Sequence, residues 1–398
     1  MADQIVITSG DQITLRRARW LWDKRLPNIG LALLAGREGV GKSTTDCWLA
    51  AAVTTGMLPG ESFGTPRNIL YIASEDDWET TLGPRLVAAG ADMARVFKMA
   101  VKRDGSIHEG QVELPDDLDA FEAALRETEP ALVIVSPLMS RVSGSLDSHK
   151  DQQVRQALEP LVALAFEHKV LILGLIHLNK SATTDPLRAI MSSAAFVAFA
   201  RAVLFVARDP DDPDLRLVGQ PKNNGGPSGA ELGLLTFTIE SVVVGADPDD
   251  GQPIEATRLH WGSPRDGSID DVLNDSQLGA DTRSETTEAG EWLVGYLTEN
   301  GGAAKREDLI KDAKALGYGE AVLRRARLRY AIRSERTKTV PSMTVWRLPG
   351  PRVNTRAATP VYSTSGTSGT SGTSGRATGA TRATPAARTS AARVGGAS

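Results

Sequence analysis

Gly36-Arg37-Glu38-Gly39-Val40-Gly41-Lys42-Ser43-Thr44 has the spacing G-x-x-x-x-G-K-[ST]. Glycines at these intervals let the backbone curl so that successive N–H groups converge on a phosphate, and a helix starting at Lys42 turns its positive end toward the same anion. Lys42 supplies a point charge for the β- and γ-phosphates, and the Ser43 hydroxyl a ligand for Mg²⁺. Such a loop needs a strand before it and a helix after it. Leu31-Ala32-Leu33-Leu34-Ala35 reads as a buried strand, and Lys42 to Ala52 as the helix.

Other chemistry-bearing residues stand at the ends of further apolar runs. Asn68 to Ala73 reads as a strand ending in Ser74-Glu75-Asp76-Asp77. Carboxylates there face the crevice at the carboxyl ends of a parallel sheet, where one can polarise a water attacking a phosphate. As caps for a helix over 78–89, Asp76 and Asp77 have a second explanation, and Glu75 has less of one. Ala131 to Val135 is the kind of run that carries the second nucleotide motif, with an aspartate expected at its end to hold the Mg²⁺ shell. Ser136 stands there instead. Val170 to Ile176 ends in His177, which reads equally as a structural histidine or as a polar group aimed at the crevice.

Between these strands, helices are expected over 116–127 and 151–168. The order β-α-β-α-β-α-β implies a mainly parallel sheet between helices. A helix over 192–201 and a strand over 202–207 follow, then three alternating segments, 215–219, 234–239 and 257–261, as a closing antiparallel set. Lys222 to Gly226 reads as a tight turn. Trp20-Leu21-Trp22 through Pro27 reads either as a lid on the nucleotide domain or as a hydrophobic staple for a short helix.

The chain has 398 residues, 41% of them hydrophobic, which suffices for more than one domain. The net charge of −4 is unevenly spread. Residues 284–350 hold 12 Lys and Arg against 9 Asp and Glu, and residues 351–398 hold 6 Arg and no acid. A basic C-terminal third on an acidic body suggests contact with nucleic acid there. Cys47 alone excludes a disulfide framework or a thiolate metal cage. No apolar run reaches the length of a membrane span and no secretion signal is visible, so a cytoplasmic location without membrane partners is expected.

Residues 267–283 read as a polar linker. Helices are expected over 289–298, 306–316 and 319–331, then a hairpin within 333–347, the order of a winged helix. The third helix carries Arg324, Arg325, Arg327 and Arg329, which read as DNA-contacting residues or as a solvated face. The Thr-Ser-Gly repeats after residue 363 mark a disordered basic tail. The domain boundaries expected are 1–29 (lid segment), 30–265 (ATPase), 266–284 (linker), 285–350 (winged helix) and 351–398 (tail).

On Leu34 to Ser43, Thr55-Gly56, Leu58-Pro59-Gly60, Ser74-Glu75-Asp76 with Arg85, His177-Leu178-Asn179-Lys180, Ala200 to Val203 and Lys222-Asn223, the chain resembles the RecA-like ATPases of the RepA-type replicative helicase family. The resemblance runs from about Trp20 to Trp261 and implies an α/β RecA-like P-loop NTPase core. It further implies ATP and Mg²⁺ as cofactors, DNA as partner, and a homo-oligomer, with a hexameric ring among the candidate assemblies. In such a family Glu75 is the general base, His177 a γ-phosphate sensor and Arg201 a finger reaching the neighbouring subunit's ATP; Arg201 also reads as a helix-end cation. Ser43 and Asp76 are the candidate metal residues. Ser136 and Ser192-Ser193 depart from the family pattern, where Asp and Gly-Ser are usual. A neutral Ser136 weakens the case for fast hydrolysis, leaving two expectations: a DNA motor, or a nucleotide-gated DNA-binding factor that hydrolyses little.

Overall fold

A computed structural model describes residues 7–103, 110–142, 146, 150–179, 183–190, 194–277, 280–330, 332–337 and 342–348. The expected tail, Lys180 and Ser192-Ser193 lie outside the described residues. Trp20–Trp22 (β1) and Leu26–Pro27 (β2) pair as an antiparallel hairpin rather than a helix. Trp22 inserts into an aromatic cluster with Trp48 and Trp261, centroids 5.2 and 6.3 Å away. The turn is tied down by Gln220, which donates to the Arg25 carbonyl at 2.6 Å, and by Asn223, which donates to the Lys24 carbonyl at 2.8 Å.

Nine further strands form one sheet: Gly30–Gly36 (β3), Ile69–Ala73 (β4), Val96–Lys98 (β5), Leu132–Ser136 (β6), Leu171–His177 (β7), Ala202–Arg208 (β8), Arg216–Asn223 (β9), Leu235–Ala246 (β10) and Pro253–Trp261 (β11). Their spatial order is β5-β4-β6-β7-β3-β8-β9-β10-β11. The pairs from β5 to β8 are parallel, and β9, β10 and β11 extend the sheet antiparallel. β3 is buried along its whole length, as its unbroken apolar run requires of a central parallel strand.

Helix Lys42–Thr54 (α1) leaves β3, and Gly83–Ala88 (α2) follows β4. Leu118–Thr128 (α3), Asp151–Glu167 (α4), Pro186–Ala189 (α5) and Ala194–Phe199 (α6) complete the parallel half. Phe121, Leu158, Leu161 and Phe196 from these helices share one core with Leu31, Leu33, Leu70, Ile72, Val133 and Val135. Strand residues two apart face the same side, so the alternate set, including Tyr71, Ile134 and Ser136, faces the opposite layer that holds α1.

The segment expected to be a linker instead contains helix Ile269–Gln277 (α7). Ile269 and Val272 are buried in the main core, and Gly219 of β9 lies so close that an added Cβ would stand 2.7 Å from the Ile269 Cβ. Two apolar residues four apart or less seat a short helix even when the rest of its sequence is polar, and composition alone misses this. Ala280–Glu299 (α8), Ala303–Lys305 (β12), Arg306–Ala315 (α9), Glu320–Arg329 (α10), Arg333–Arg336 (β13) and Thr344–Arg347 (β14) follow. The expected hairpin is joined by a third strand, giving the order β12-β14-β13. A separate core of Leu293, Leu297, Leu309, Leu323 and Trp346 holds this part together.

Candidate nucleotide site

From β3 the chain crosses β7 and β6 to reach β4, whereas from β7 it crosses β3 to reach β8. β3 and β7 are neighbours whose connections leave in opposite directions, so a crevice opens at their carboxyl ends. Gly36 and His177, paired in register, stand on either side of it.

The glycine-rich loop occupies that position for steric reasons. Gly41 caps α1 with φ +98°, and an added Cβ would come within 2.9 Å of Ile239 Cδ1. At Gly36 it would come within 2.6 Å of the Val206 carbonyl oxygen. Only glycine satisfies both the positive φ and the close approach. Arg37, Glu38 and Gly39 are exposed, Val40 and Thr44 are buried, and Ser43 is half-buried in the first turn of α1. The first N–H groups of α1 have no partner in the helix and point into the crevice.

Lys42 is 6% exposed. Its ammonium donates to the Gly36 and Arg37 carbonyls, both at 2.9 Å, and lies 3.3 Å from His177 Nδ1. All three of its N–H donors are thus taken by the loop's own frame. Burial lowers its pKa to about 8, against the opposing pull of Glu38, Glu75 and Asp46. His177 is also held below the usual histidine value, by burial and by Lys42, with Glu75 and Glu38 pulling the other way. A neutral imidazole that accepts from Lys42 at Nδ1 carries its proton on Nε2, which stands 3.9 Å from Glu75 Oε2. Lys42, His177 and Glu75 therefore form one line across the crevice, and phosphate oxygens entering the loop compete with backbone carbonyls and an imidazole for the ammonium.

Asp76 is drawn away from that line. Its carboxylate pairs with Arg85 at 3.0 Å, while Asp77 caps the following helical turn through the Glu79 and Thr80 amides. Ser136 sits at the end of β6 opposite Ala73, its carbonyl accepting from the Ser74 amide at 3.2 Å. Two residues were not legible as part of the site. Arg208, at the end of β8, donates to the Gly39 carbonyl at 3.2 Å and so braces the loop from outside. Asp46, an acid within an apolar helix, is 1% exposed. Its one signal in the sequence was the break in apolar character at Thr45-Asp46.

Arg201 lies elsewhere. Its amide donates to the Leu31 carbonyl at the amino end of β3, about 17 Å of strand from Gly36. The side chain covers Gly30 and lines a shallow cleft with Arg19, Trp20, Phe166 and Asn223. Its own loop is out of reach.

Of the four arginines of α10, Arg324 alone is exposed. Arg325 donates to the Thr286 hydroxyl at 3.4 Å. Arg327 donates to the Ile332 carbonyl at 3.1 Å and stacks 5.6 Å from the Trp346 ring centroid. Arg329 is ion-paired with Asp211 in the loop after β8, and both are largely covered. The arginine-rich face expected to meet DNA is therefore mostly turned inward, because α10 must seat against α8, β14 and the acidic loop 209–214 at once.

Residues 2–183 match the AAA_25 family, described as an AAA domain. Sheet, loop and match together place a P-loop ATPase domain in this chain. Among solved structures, the ATPase domain of a replicative helicase is similar at 13% identity and a TM-score of 0.40, over 53% of this chain and 81% of that one. No curated protein sequence matches the chain. Among the described residues, no helix is long and apolar enough to cross a membrane.

Proposed function

We propose that the chain binds Mg²⁺·ATP in the β3–β7 crevice and hydrolyses it while acting on DNA, as a RepA-type helicase or a related replication ATPase. The observation that carries the reading is the line of Lys42, His177 and Glu75 at the sheet's switch point. Lys42 and the amides of α1 would bind the phosphates, and Ser43 would ligate the metal, which neutralises charge on the phosphate oxygens. The half-buried Ser43 hydroxyl and the orphaned buried Oδ1 of Asp46 are oxygen donors of the hard type that Mg²⁺ takes. Glu75, mostly exposed beside the crevice, would accept a proton from the attacking water.

A finger role for Arg201 is supported by its distance from its own loop, and it requires a homo-oligomer. The order α8-β12-α9-α10-β13-β14 supports a winged-helix reading, in which Arg324 and the exposed Arg333 and Arg336 are the cations free to meet phosphates. Ser136 favours a second reading, a nucleotide-gated DNA-binding factor with slow turnover. ATP turnover by the full chain with and without DNA separates the two. Stimulation of several-fold, abolished by Lys42→Ala, is expected of the motor. ATP-dependent DNA affinity without stimulation selects the gated factor, and no effect of either ligand on the other overturns both.

A further inference from the structure

The end of β6 lacks the expected carboxylate, and the neighbouring helix buries one that no structural need explains. Asp46 of α1 is 1% exposed, its Oδ1 has no hydrogen-bond partner, and among the described residues it forms no ion pair. Tyr71 and Cys47 flank it and Asp76 adds a like charge nearby, while burial pushes its carboxyl up to about 7. A buried carboxylate without a counter-charge destabilises the fold, so its retention points to a cation that the protein alone does not contain.

Its placement fits one. Asp46 follows Ser43 by three residues, so both lie on one face of α1, and helical side chains tilt toward the N-terminus, which aims the Asp46 carboxylate at Ser43. Tyr71 pairs with Ile134, and Ala73 with Ser136. These four residues share the α1-facing side of the sheet, so the short, neutral Ser136 leaves room and want of charge on the side Asp46 approaches. Neither nearby acid is free to substitute: Asp76 is held by Arg85, and Asp77 caps backbone amides.

We propose that Asp46 supplies, from helix α1, the negative charge that Ser136 withholds from β6, and so secures the divalent cation of the bound nucleotide near Ser43. The proposal rests on the nucleotide reading above and deepens it.

The test measures binding of a fluorescent ATP analogue to the full chain at pH 8, in excess Mg²⁺ and in EDTA, without reference to turnover. Residues behind a metal's ligands typically contribute roughly tenfold to a hundredfold in metal affinity. Asp46→Asn is therefore expected to lose about tenfold or more of the Mg²⁺ enhancement while its affinity in EDTA stays unchanged. Asp46→Asn combined with Ser136→Asp is expected to regain most of it. Without metal or nucleotide, Asp46→Asn should melt at a higher temperature than wild type. Full Mg²⁺ enhancement in Asp46→Asn, no recovery in the double variant, or a lower melting temperature each overturns the proposal. Equal EDTA affinities of wild type and Lys42→Ala would instead sink the nucleotide reading itself.

Discussion

The crevice between β3 and β7 and the arginine-rich helix α10 were both marked by their residues, and the fold treats them oppositely. In the crevice, Lys42, Glu75 and His177 stand at or just past three separate strand ends and converge within hydrogen-bonding or near-contact range. On α10, four cations within six residues disperse to a hydroxyl, an aromatic ring, an aspartate and solvent. Strand ends of a parallel sheet all point to one edge, so polar residues there share a destination. Successive helix positions turn by about 100°, so a run of like charges cannot share a face, and packing decides which of them stays exposed.

The largest effect should come from the loop. Lys42→Ala is expected to weaken ATP binding at least about a hundredfold in a calorimetric titration, since it removes the charge that replaces three loop contacts. Unchanged affinity would break the crevice side of the contrast. Next, Glu75→Gln is expected to slow turnover by about a hundredfold or more with ATP affinity retained. Mixing Glu75→Gln with Arg201→Ala should restore measurable turnover if Arg201 serves a neighbour, and its absence in an intact oligomer would return Arg201 to a structural role.

A smaller, graded effect follows from Lys42's lowered pKa. Between about 8 and the ordinary 10.5, the unfolded chain holds a proton on this lysine that the folded chain has released, so the free protein gains stability as pH rises through that window. Phosphate needs the charged form, and ATP affinity should therefore fall by up to about tenfold per pH unit above 8. An affinity flat to pH 9.5 would show that the ammonium is not at the phosphates. The smallest effects separate two arginines of one helix. Arg329→Ala should cost about 1–2 kcal/mol of stability by stranding Asp211. Arg324→Ala should leave stability within about 0.5 kcal/mol and flatten the salt dependence of DNA binding by about one unit of slope. If the two variants exchange these behaviours, the contrast between packed and free cations fails.

The glycine loop, the four strand ends and the parallel order of the sheet were legible in the sequence because each rests on local requirements: a backbone conformation only glycine adopts, apolar runs of strand length, and helices between them. The closing antiparallel strands were legible by their alternation. What the tertiary structure alone decided was partnership. Nothing in the composition of 267–283 announces that Ile269 and Val272 fill the space over Gly219. Nor does spacing show that Arg85 claims Asp76, that Asp211 claims Arg329, or that Asp46 is buried beside Tyr71 facing the side where Ser136 stands. Those pairings join residues from 9 to 118 positions apart. Whether a charge is free, paired or buried depends on which elements the fold sets side by side, and no local pattern carries that information.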